Sequence, residues 1–519
     1  MGGPSADMVD QSATIAFLSD PATHGGAPVS RVETHCAIVF LAGERAYKLK
    51  RAVTYVFLDF STLDARRAAC EAEIALNRRT APDIYLGVEP VTRAAGGGLA
   101  VGGVAGGEVV DWVVVMRRFP ADGLFDARAA RGNLSAADML ALADAAADLH
   151  LGAERVTDAV AWLDHAVEGN IATLGNWAGE PFDPAAIAAF AATLRAAHEA
   201  ARPLLDTRVR GGFVRVAHGD LHLGNVCTID GRPVLFDALE FDPRLARIDV
   251  LYDLAFLVMD LWTRGFERFA HVVMERWISR TGDDGGLSLL PLFLGLRAAI
   301  RAHVAAATAR NAGLDKAAAG LKRAQALELL HHARAFLAPP PPRLVAVGGL
   351  SGTGKSSVAR ALAPGIGAPP GARLLRTDVI RKRLAGLAET ERLPSTSYTA
   401  EASARVYDTL FAEAERALSA GRAAILDGVF ARPAERQRAA DLARRLGVPF
   451  TGLWLDAPAD LLRERLQGRQ GDASDADAAV LEGQLGYDLG LMDWVRTDAS
   501  GTPAAVAARA ADALRPRSA

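Results

Sequence analysis

Cysteine is scarce in this sequence, with three residues in 519, at Cys36, Cys70 and Cys227. They form no CxxC pair and no cluster with the spacing of metal ligands, and an odd, scattered set does not make a disulfide framework. We therefore expect free, mostly buried thiols and a reducing compartment. The remaining composition, with 50% hydrophobic and 23% charged residues, is typical of globular protein, and the length predicts more than one domain.

Two kinds of apolar segment are also missing. The first twenty residues have no basic stretch followed by a long apolar one, so they do not resemble a secretory signal. The most apolar run, residues 250–262, is short and contains Asp253 and Asp260, which predicts a buried helix rather than a membrane span. Together with the cysteine usage, these absences predict a cytoplasmic protein with no membrane partner.

The chain has no large excess of charge of one sign. Its formal net charge is −3, which excludes a global field that recruits nucleic acid or anionic membrane. Residues 343–519 contain 24 Lys and Arg against 21 Asp and Glu, a net charge of only +3. That balance gives little support to a nucleic-acid groove, and we expect no nucleic-acid partner.

What the chain does contain is one clear boundary, the four consecutive prolines within residues 338–343. Such a run predicts a short semi-rigid linker. In residues 1–337, strand patterns come first and helix patterns later, which predicts an α+β domain with a small lobe to about residue 118 and a helical lobe over about 119–337. In residues 344–519, strands and helices alternate, which predicts an α/β domain with a parallel sheet. Its predicted helices span residues 355–363, 379–387, 400–420, 433–446 and 459–468.

A glycine-rich turn lies between the first strand and the first helix of this second domain. The sequence GGLSGTGKSS, residues 348–357, fits the pattern G-x-x-x-x-G-K-[ST]. The glycines let backbone amides face a triphosphate, and the helix N-terminus adds positive potential. The lysine reaches the β- and γ-phosphates, and the first serine hydroxyl ligates Mg²⁺. The phosphate-binding candidates are Gly349, Gly352, Gly354, Lys355, Ser356 and Ser357.

Two later strands of this domain end in carboxylates. Asp427 ends the strand AILD and is the candidate magnesium carboxylate, with an ordinary strand-end aspartate as the alternative. Asp378 ends LLRTD, where it can accept a proton from an acceptor hydroxyl, and Arg381 follows one helical turn later as a substrate candidate. Residues from about 343 to 510 resemble the small P-loop kinases of the gluconate-kinase, chloramphenicol-phosphotransferase and zeta-toxin group.

This resemblance implies an arginine-bearing lid over the phosphates. The segment LLRERLQGRQ offers Arg465 and Arg469 just before an acidic stretch. We choose Arg469 for the lid, whereas Arg465 is equally consistent with a solvated helix face. Arg436 is a further candidate for phosphate or substrate binding.

A second chemical motif lies in the first domain. In HGDLHLGN, residues 218–225, Asp220 precedes Asn225 by the same five residues as in the kinase catalytic loop H-R-D-L-x-x-x-N, where the aspartate is the base and the asparagine binds magnesium. Twelve residues later, Asp237 in VLFDALEF stands where a kinase has the metal-binding DFG aspartate. The DFG glycine is absent, which predicts a site without a mobile activation segment.

The H-G-D-x-H-x-x-N spelling resembles the aminoglycoside phosphotransferase and choline-kinase-like family over roughly residues 30–335. The resemblance implies a bilobal protein-kinase-like fold and the phosphorylation of small molecules. A kinase also needs a strand lysine on the phosphates, paired with a helix glutamate. The sequence AYKLK places Lys48 and Lys50 on one face of a strand, and we choose Lys48, with Lys50 a close second. We choose Glu73 over Glu71 because it starts the apolar helical repeat.

The adenine site is less clearly marked. Residues Met116 to Arg118, at the end of VVVMRR, would form the hinge that holds adenine through backbone groups. No G-x-G-x-x-G motif is present, so the roof over the nucleotide must be built differently. Thr34 and His35, at a turn between strands, are candidates for it.

Two histidines near these motifs have more than one reading. His222 either orients the catalytic loop or contacts phosphate or substrate, and His150, which closes an Ala-rich helix, is expected to be a packed structural residue. Neither has the partners of a zinc site, so we predict no transition metal.

The leading hypothesis is a fusion of two kinases, each transferring the γ-phosphoryl group of ATP or another NTP, with Mg²⁺, to a hydroxyl of a small molecule such as a sugar or an aminoglycoside. In one alternative, the P-loop half is a nucleotide-dependent ATPase switch that controls the first kinase. In another, the acceptor is a protein or a polynucleotide end. The sequence leaves the acceptor and the oligomeric state open.

Overall fold

The computed structural model describes residues 10–34, 36–55, 58–157, 161–240, 242–310, 313–389, 391–393, 399–467 and 478–515. Their contacts divide the chain into two compact units. Unit 1 comprises residues 1–187, 198–261 and 296–300, and unit 2 comprises residues 188–197, 262–295 and 301–519. Residues 262–295 and 301–337, which precede the proline linker, are therefore grouped with the P-loop region. The domain boundary predicted from the sequence, the proline-rich linker at residues 338–343, stays a prediction.

The first part of the chain is rich in short strands. The strands are β1 (Val29–Glu33), β2 (Ala37–Ala42), β3 (Arg45–Lys50), β4 (Thr54–Tyr55), β5 (Leu58–Asp59), β6 (Tyr85–Arg93), β7 (Leu99–Val101), β8 (Glu108–Arg117), β9 (Val214–Val216), β10 (Val226–Ile229), β11 (Arg232–Leu235) and β12 (Arg247–Asp249). The helices are α1 (Ser12–Ser19), α2 (Leu63–Asn77), α3 (Phe125–Ala130), α4 (Ala136–Gly152), α5 (Trp162–Gly175), α6 (Pro184–Arg210), α7 (Pro243–Ala246) and α8 (Val250–Thr263).

Unit 1 contains an antiparallel sheet of six strands in the order β1-β2-β3-β8-β6-β7. Alternate residues of β8 point to opposite faces, as the pleat requires. Val113 and Val115 join one apolar cluster, and Val114 and Met116 join the other, which includes residues of α2. Both faces are thus covered, which explains why β8 is apolar without alternation.

Helix α2 begins at a clear start signal in the sequence, the N-cap residue Thr62. The Thr62 side chain accepts a hydrogen bond from the Ala65 amide and caps the helix. Its buried face carries Cys70, Glu73, Ile74 and Asn77. A fully buried glutamate and asparagine on an otherwise apolar face need partners, and these partners belong to the site described below.

Two small antiparallel pairs carry the HGD segment of unit 1. Strand β9 pairs with β12, and β10 pairs with β11. Helix α8 follows β12, and its residues from 250 to 261 are all buried. The run at residues 250–262 is therefore a buried helix, as the sequence predicts, and Asp253 and Asp260 are buried within it.

The remaining elements include the strands β13 (Leu344–Gly349), β14 (Arg373–Arg376), β15 (Ala424–Asp427), β16 (Phe450–Asp456) and β17 (Val495–Asp498). The helices are α9 (Glu267–Thr281), α10 (Leu290–Ala309), α11 (Lys316–Phe336), α12 (Lys355–Leu362), α13 (Thr377–Leu384), α14 (Ala400–Ser419), α15 (Pro433–Leu446), α16 (Ala459–Gln467), α17 (Ala478–Leu485) and α18 (Pro503–Ala513).

The sheet of unit 2 is parallel, with the order β14-β15-β13-β16-β17. Separate buried clusters, around Ala346 and Leu426 on one side and around Val345 and Ile425 on the other, cover its two faces. Central strand β13 is fully buried, which is typical of a parallel sheet covered on both faces. The predicted α+β domain followed by an α/β domain with a parallel sheet is confirmed.

Helix α9 also belongs to unit 2, and an ion pair ties it to the sheet. Glu275 contacts the guanidinium of Arg373 at the start of β14 and accepts a hydrogen bond from the Leu374 amide at 3.1 Å. The His271 Nε2 lies 2.9 Å from the Ala372 carbonyl oxygen. These buried polar contacts explain why α9 groups with the P-loop unit.

One described helical stretch, Leu287–Ala309, is long and apolar enough to cross a membrane by length and composition, and 72% of its most apolar window is buried. A mostly buried core helix passes the same test. The finding gives weak evidence for a membrane span.

The close approach of Trp494 to strand β16 gives a stability prediction. A Cβ at Gly452 would lie 2.3–2.4 Å from the indole atoms of Trp494, which is itself 6% exposed. We expect Gly452→Ala to lower the free energy of unfolding by about 1–3 kcal/mol through overpacking. Gly483→Ala, at an open helical position, is the matched control and should be neutral or slightly stabilising. Denaturant titration of both variants checks this, and equal stabilities would contradict the packing argument.

Candidate phosphoryl-transfer sites

The loop after β9 brings the HGD residues together. The Asn225 Nδ2 donates hydrogen bonds of 2.9 Å to both the Asp220 Oδ2 and the Asp220 carbonyl. Gly219 has φ +85°, and a Cβ there would lie 2.8 Å from the Leu245 carbonyl. The glycine of H-G-D is therefore required by backbone conformation and by space. The structure brings Asp220 and Asn225 into direct contact, as the spacing predicts.

His222 belongs to the same loop. Its Nδ1 accepts a hydrogen bond from the Gly224 amide at 3.0 Å, and its Nε2 lies 3.4 Å from the Asp220 Oδ2. The ring also meets the Phe256 ring edge-on, with centroids 5.3 Å apart. Of the two roles considered for His222, these contacts favour orientation of the loop and of the Asp220 carboxylate.

Asp253 of α8 holds the backbone of the loop, a role that the sequence analysis missed. It is fully buried, and it accepts hydrogen bonds from the His218 amide at 2.9 Å and the Gly219 amide at 2.8 Å. The His150 Nε2 lies 3.0 Å from the Asp253 Oδ2. His150 thus has a structural partner, in keeping with the expectation that it is a packed histidine.

Two more buried side chains support this loop. The Asp260 Oδ2 accepts a hydrogen bond from the Leu223 amide at 3.1 Å. The Arg297 Nη1 donates to the Gly219 carbonyl at 3.1 Å, and its guanidinium lies over the Tyr252 ring at 3.8 Å. The signal that could have found Asp253 and Asp260 was their presence in an otherwise apolar helix, because buried carboxylates need donors.

The titration of Asp253 gives a pH prediction. Burial by itself would raise its pKa, but the hydrogen bond from His150 and the nearby charges of His150, His218 and Arg297 outweigh burial and lower the pKa from 3.8 to about 2. A depressed carboxyl pKa stabilises the fold above the unfolded-state pKa, and this stability is lost as the pH falls through the folded-state pKa. The shift corresponds to about 2.5 kcal/mol.

We therefore expect the free energy of unfolding to fall by most of this amount between about pH 5 and pH 2, and Asp253→Asn to be less stable at pH 7 with a flatter acid limb. Unfolding curves measured from pH 7 to pH 2 check it. A parallel acid limb in wild type and variant would contradict the assignment of this proton to Asp253.

The predicted phosphate lysine lies between two carboxylates. The Lys48 Nζ contacts the Glu73 Oε1 at 2.8 Å and the Asp237 Oδ1 at 2.6 Å. Burial by itself would lower the pKa of Lys48, but Asp237 and Glu73 outweigh it and hold the pKa well above its usual value. The lysine is therefore a cation at neutral pH, beside the carboxylate that is expected to bind metal.

Lys50 lies on the same face of β3, as predicted, and is more deeply buried. Its Nζ lies 2.5 Å from the Glu73 Oε2 and forms a hydrogen bond with Glu240. The side chain of Lys50 is 2% exposed, against 13% for Lys48. Because Lys48 is the lysine that reaches Asp237 and retains exposure, the geometry supports Lys48 for the phosphates. Glu240 was missed from the sequence.

The candidate roof and hinge residues have protein partners. The Thr34 hydroxyl donates to the Ala37 carbonyl at 3.0 Å, whereas His35 lies outside the described residues. Met116 is 9% exposed and packs in the core, and the Arg118 amide donates to the Glu44 carbonyl at 2.8 Å. These contacts leave the side chain of Met116 and the amide of Arg118 engaged within unit 1. An adenine contact through the other backbone groups of this segment stays a prediction.

In unit 2, the glycine-rich turn forms a tight cradle. A Cβ at Gly349 (φ +148°) would lie 2.8 Å from the Leu455 carbonyl, and one at Gly352 (φ +85°) would lie 2.8 Å from the Leu462 carbonyl. Gly354 (φ +83°) precedes α12, whose first residue is Lys355, and Ser356 is buried in the first turn. Glycine is therefore required at these positions, and the curled backbone fits a bound polyphosphate.

The two carboxylates predicted for this site lie at the ends of neighbouring strands. Asp427 ends β15, directly beside Val347 of β13, and its Oδ2 accepts a hydrogen bond from the Arg376 Nε at 3.1 Å. Asp378 lies in the first turn of α13. Since carboxyl ends of parallel strands share one edge, both carboxylates lie at the edge where the P-loop begins. Arg376 was missed as the partner of Asp427.

The arginines proposed for phosphate or substrate differ in their contacts. Arg381 donates to the Ser403 hydroxyl at 3.3 Å. Arg436 is 3% exposed and donates to four backbone carbonyls, and Arg465 donates to three. These contacts give Arg436 and Arg465 structural places in unit 2. Arg469 lies outside the described residues.

The residues present fit a nucleotide and a divalent cation. Among the described residues, no group of three or more His, Cys, Asp or Glu side chains could hold a metal ion by itself. A magnesium ion in a phosphoryl-transfer site needs only one or two carboxylates, because nucleotide phosphates and water supply the other oxygens. Asn225 with Asp237, and Ser356 with Asp427, offer oxygen ligands of this kind.

Comparison with known proteins agrees with this geometry. A family model described as an AAA domain matches residues 344–487. Uncharacterized proteins of Mycobacterium tuberculosis and Mycobacterium bovis are 30% identical to this chain over 457 residues, which cover 86% of this chain and 88% of each relative. This chain belongs to their family. With 86% of this chain covered, the match extends through residues of both units.

Several solved structures that are similar to parts of the chain are described as kinases. A gluconokinase from Sinorhizobium meliloti is 21% identical, covers 33% of this chain and 91% of its own, and has a TM-score of 0.24. An amicoumacin kinase in complex with AMP-PNP, Ca²⁺ and Ami is 14% identical, covers 62% of this chain and 94% of its own, and has a TM-score of 0.38. A choline/ethanolamine kinase family protein from Mesorhizobium loti is 16% identical, covers 63% and 98%, and has a TM-score of 0.35.

These structures are each less than 25% identical to this chain. Their TM-scores are below 0.5, so the assignment of residues rests on the geometry of this chain.

Proposed function

We propose that this protein is an ATP-dependent phosphotransferase with two active sites, one in each unit, and that each site phosphorylates a hydroxyl of a small molecule. Two sets of direct contacts in unit 1 carry the proposal: Asn225 with Asp220, and Lys48 with both Glu73 and Asp237. These are the residue types that phosphoryl transfer needs, and they come from positions up to 189 residues apart.

In unit 1, each of these side chains has a distinct task. Lys48, held by Glu73, binds the α- and β-phosphates, and Asn225 and Asp237 hold Mg²⁺. When bound, the cation supplies charge neutralisation of the phosphates. Asp220 accepts the proton of the acceptor hydroxyl, and its carboxylate is oriented by Asn225 and faces His222. A carboxylate fixed in this way needs little reorganisation when the hydroxyl loses its proton.

In unit 2, the P-loop carries the phosphates. The amides of the turn and Lys355 bind them, Ser356 and Asp427 hold Mg²⁺, and Asp378 receives the proton of the second acceptor. Arg376 fixes the Asp427 carboxylate through the hydrogen bond of 3.1 Å. Arg381 is the substrate candidate that this site retains, and Ser357 and Arg469 remain predicted phosphate contacts.

Small-molecule acceptors are supported by the segment that follows the metal-binding strand. The residues after Asp237 are Ala238 and Leu239 rather than Phe and Gly. Ala238 is clamped by Asn77, whose Oδ1 accepts from its amide at 2.8 Å. A segment fixed to α2 differs from the mobile activation segment of regulated protein kinases.

A screen of hydroxylated metabolites for ATP consumption tests the proposal. Sugars, aminoglycosides and nucleosides would be offered with MgATP to the wild type, to Asp220→Ala and to Lys355→Ala in parallel. We expect at least one acceptor whose phosphorylation is lost in one variant and kept in the other. If neither substitution lowers the consumption of ATP with any acceptor, the two-site proposal is wrong.

A further inference from the structure

Two buried charged residues have no task in the proposed site of unit 1. The side chain of Lys50 is 2% exposed, and that of Glu240 is 6% exposed. Lys50 donates a hydrogen bond to Glu240 and also contacts the Glu73 Oε2 at 2.5 Å. Glu240 is therefore a second carboxylate partner of Lys50, beside Glu73. A buried ion pair is weak evidence for stability, since apolar residues of similar volume often stabilise as well.

The pair completes an unbroken row of charges. Contacts of 2.8 Å or less run from Asp237 to Lys48, from Lys48 to Glu73, from Glu73 to Lys50 and from Lys50 to Glu240. The two ends of the row, Asp237 and Glu240, lie three residues apart on one short segment. The row therefore closes a ring that joins this segment to β3 and α2.

The segment between the two carboxylates is held by its backbone as well. The Asp237 amide donates to the Tyr85 hydroxyl at 3.1 Å, the Ala238 amide to the Asn77 Oδ1 at 2.8 Å, and the Leu239 amide to the His218 carbonyl at 3.0 Å. Asp237 itself has φ +62°, a conformation that costs free energy in a non-glycine residue and persists only where its surroundings enforce it. Glu240, at the other end of the segment, contacts Lys50 of β3.

We propose that Lys50 and Glu240 are positioning residues that hold the segment 237–240, and with it the Asp237 carboxylate, in place for the metal and for Lys48. The inference rests on the proposed function of unit 1. In this view the ion pair replaces the glycine hinge and the mobile segment of regulated kinases by a fixed support. Glu73 then serves two lysines, one on the phosphates and one on the support.

The first test does not need an acceptor, a nucleotide or a metal. Amide hydrogen exchange of the full chain would compare wild type, Glu240→Gln, Lys50→Met and the double variant. We expect exchange at Ala238 and Leu239 to be at least tenfold faster in each single variant, because the segment loses the ion pair that joins Glu240 to Lys50 of β3. Arg208→Met is the matched control, since it breaks the buried Arg208–Asp249 pair of the same unit without touching this segment. It should leave exchange at these two amides unchanged.

The second test measures binding of MgADP by calorimetry in the full chain carrying Lys355→Ala, which removes the P-loop site. We expect Glu240→Gln and Lys50→Met to weaken MgADP about tenfold and to weaken metal-free ADP much less. The double variant should bind MgADP with about the same affinity as the single variant that binds it less tightly, because both substitutions remove the same support. Thermal unfolding of each variant establishes that the chain is folded at the assay temperature.

The outcomes separate the inference from the proposed function. If Asp237→Ala abolishes the MgADP preference while Glu240→Gln and Lys50→Met leave both binding and exchange as in the wild type, the support role is wrong and the kinase proposal stands. If Asp237→Ala itself leaves MgADP binding in the Lys355→Ala chain unchanged, the proposed nucleotide site of unit 1 is wrong. Two further outcomes would overturn the positioning role. One is weaker MgADP binding with amide exchange as in the wild type, and the other is an Arg208→Met control that loses as much MgADP affinity or exchange protection as the test variants.

Discussion

Asp220→Ala is expected to lower the acceptor-dependent activity of unit 1 by about 10²–10⁴-fold, the range in which a general base contributes, while MgADP binding in the Lys355→Ala background stays within about twofold. The reason is that Asp220 faces the acceptor hydroxyl in the proposed mechanism, whereas Lys48, Asn225 and Asp237 carry the nucleotide and the cation. Acceptor-dependent release of ADP and calorimetric binding of MgADP are the two measurements.

Asp230→Asn is the matched control for this prediction. Asp230 is an exposed carboxylate in the turn between β10 and β11, with φ +50°, a conformation that asparagine adopts readily. We expect wild-type activity from it. A loss of MgADP binding in Asp220→Ala as large as its loss of activity would show that Asp220 supports the nucleotide site rather than the acceptor.

Much of unit 1 was predictable because its chemistry is local in sequence. The spacing of Asp220, Asn225 and Asp237 is set by one loop and one strand pair, so the motif itself carried the geometry. Lys48 and Glu73 were also predictable, because the alternation of β3 and the apolar repeat of α2 fix which side chains face each other.

What sequence reasoning missed are the supports, and they share a physical cause. Asp253, Asp260 and Glu240 each satisfy a backbone amide or a lysine that is distant in sequence, and no local pattern says which partner a buried carboxylate will find. Only the apolar context of α8 and of VLFDALEF signals that these carboxylates are buried. A rule that every charge in an apolar run must have a donor would have marked all three.

Unit 2 followed its pattern closely up to residue 467. The predicted helices at 400–420 and 433–446 compare with α14 (Ala400–Ser419) and α15 (Pro433–Leu446), because alternating βα units give strong periodic signals. The helices and strand after the acidic stretch, α17, β17 and α18, were not predicted. The grouping of α9 with this unit depends on Glu275 and His271, which contact residues about 100 positions away.

Gln484, which lies in α17, makes a P-loop contact that the sequence did not predict. Its Oε1 accepts a hydrogen bond from the Ser351 amide within the P-loop at 2.8 Å, and it is 7% exposed. The amide of the third P-loop residue is therefore fixed by a side chain 133 residues away. No motif contains this residue, because only the folded structure of unit 2 brings α17 next to the turn.

Lys355→Ala is expected to abolish nucleotide binding by unit 2, with a loss of affinity of at least 100-fold and no measurable turnover at that site. Among the described residues Lys355 makes no ion pair, so its ammonium group is available to phosphate oxygens, and its removal leaves the neutral P-loop amides as the remaining phosphate donors of the turn. Calorimetry with MgATP in the Asp237→Ala background, where the site of unit 1 is disabled, isolates this effect. Lys322→Ala, which removes a half-buried helix lysine whose Nζ donates to the Gln325 side chain, should leave the affinity unchanged.

The same variant decides between two active sites and a nucleotide switch. If unit 2 is a kinase, Lys355→Ala removes one phosphorylated product and leaves the kcat and KM of the Asp220-dependent product as in the wild type. If the P-loop instead controls unit 1, no second product exists, and Lys355→Ala changes the rate of the Asp220-dependent reaction or its dependence on ATP concentration. The presence of Asp378 and Arg381 beside the P-loop favours the first outcome, because a switch that only binds and hydrolyses ATP needs no carboxylate to accept a proton from an acceptor hydroxyl.

Asp378→Asn should then remove the second product with nucleotide affinity retained, and a full yield of that product from Asp378→Asn would contradict the role given to this carboxylate.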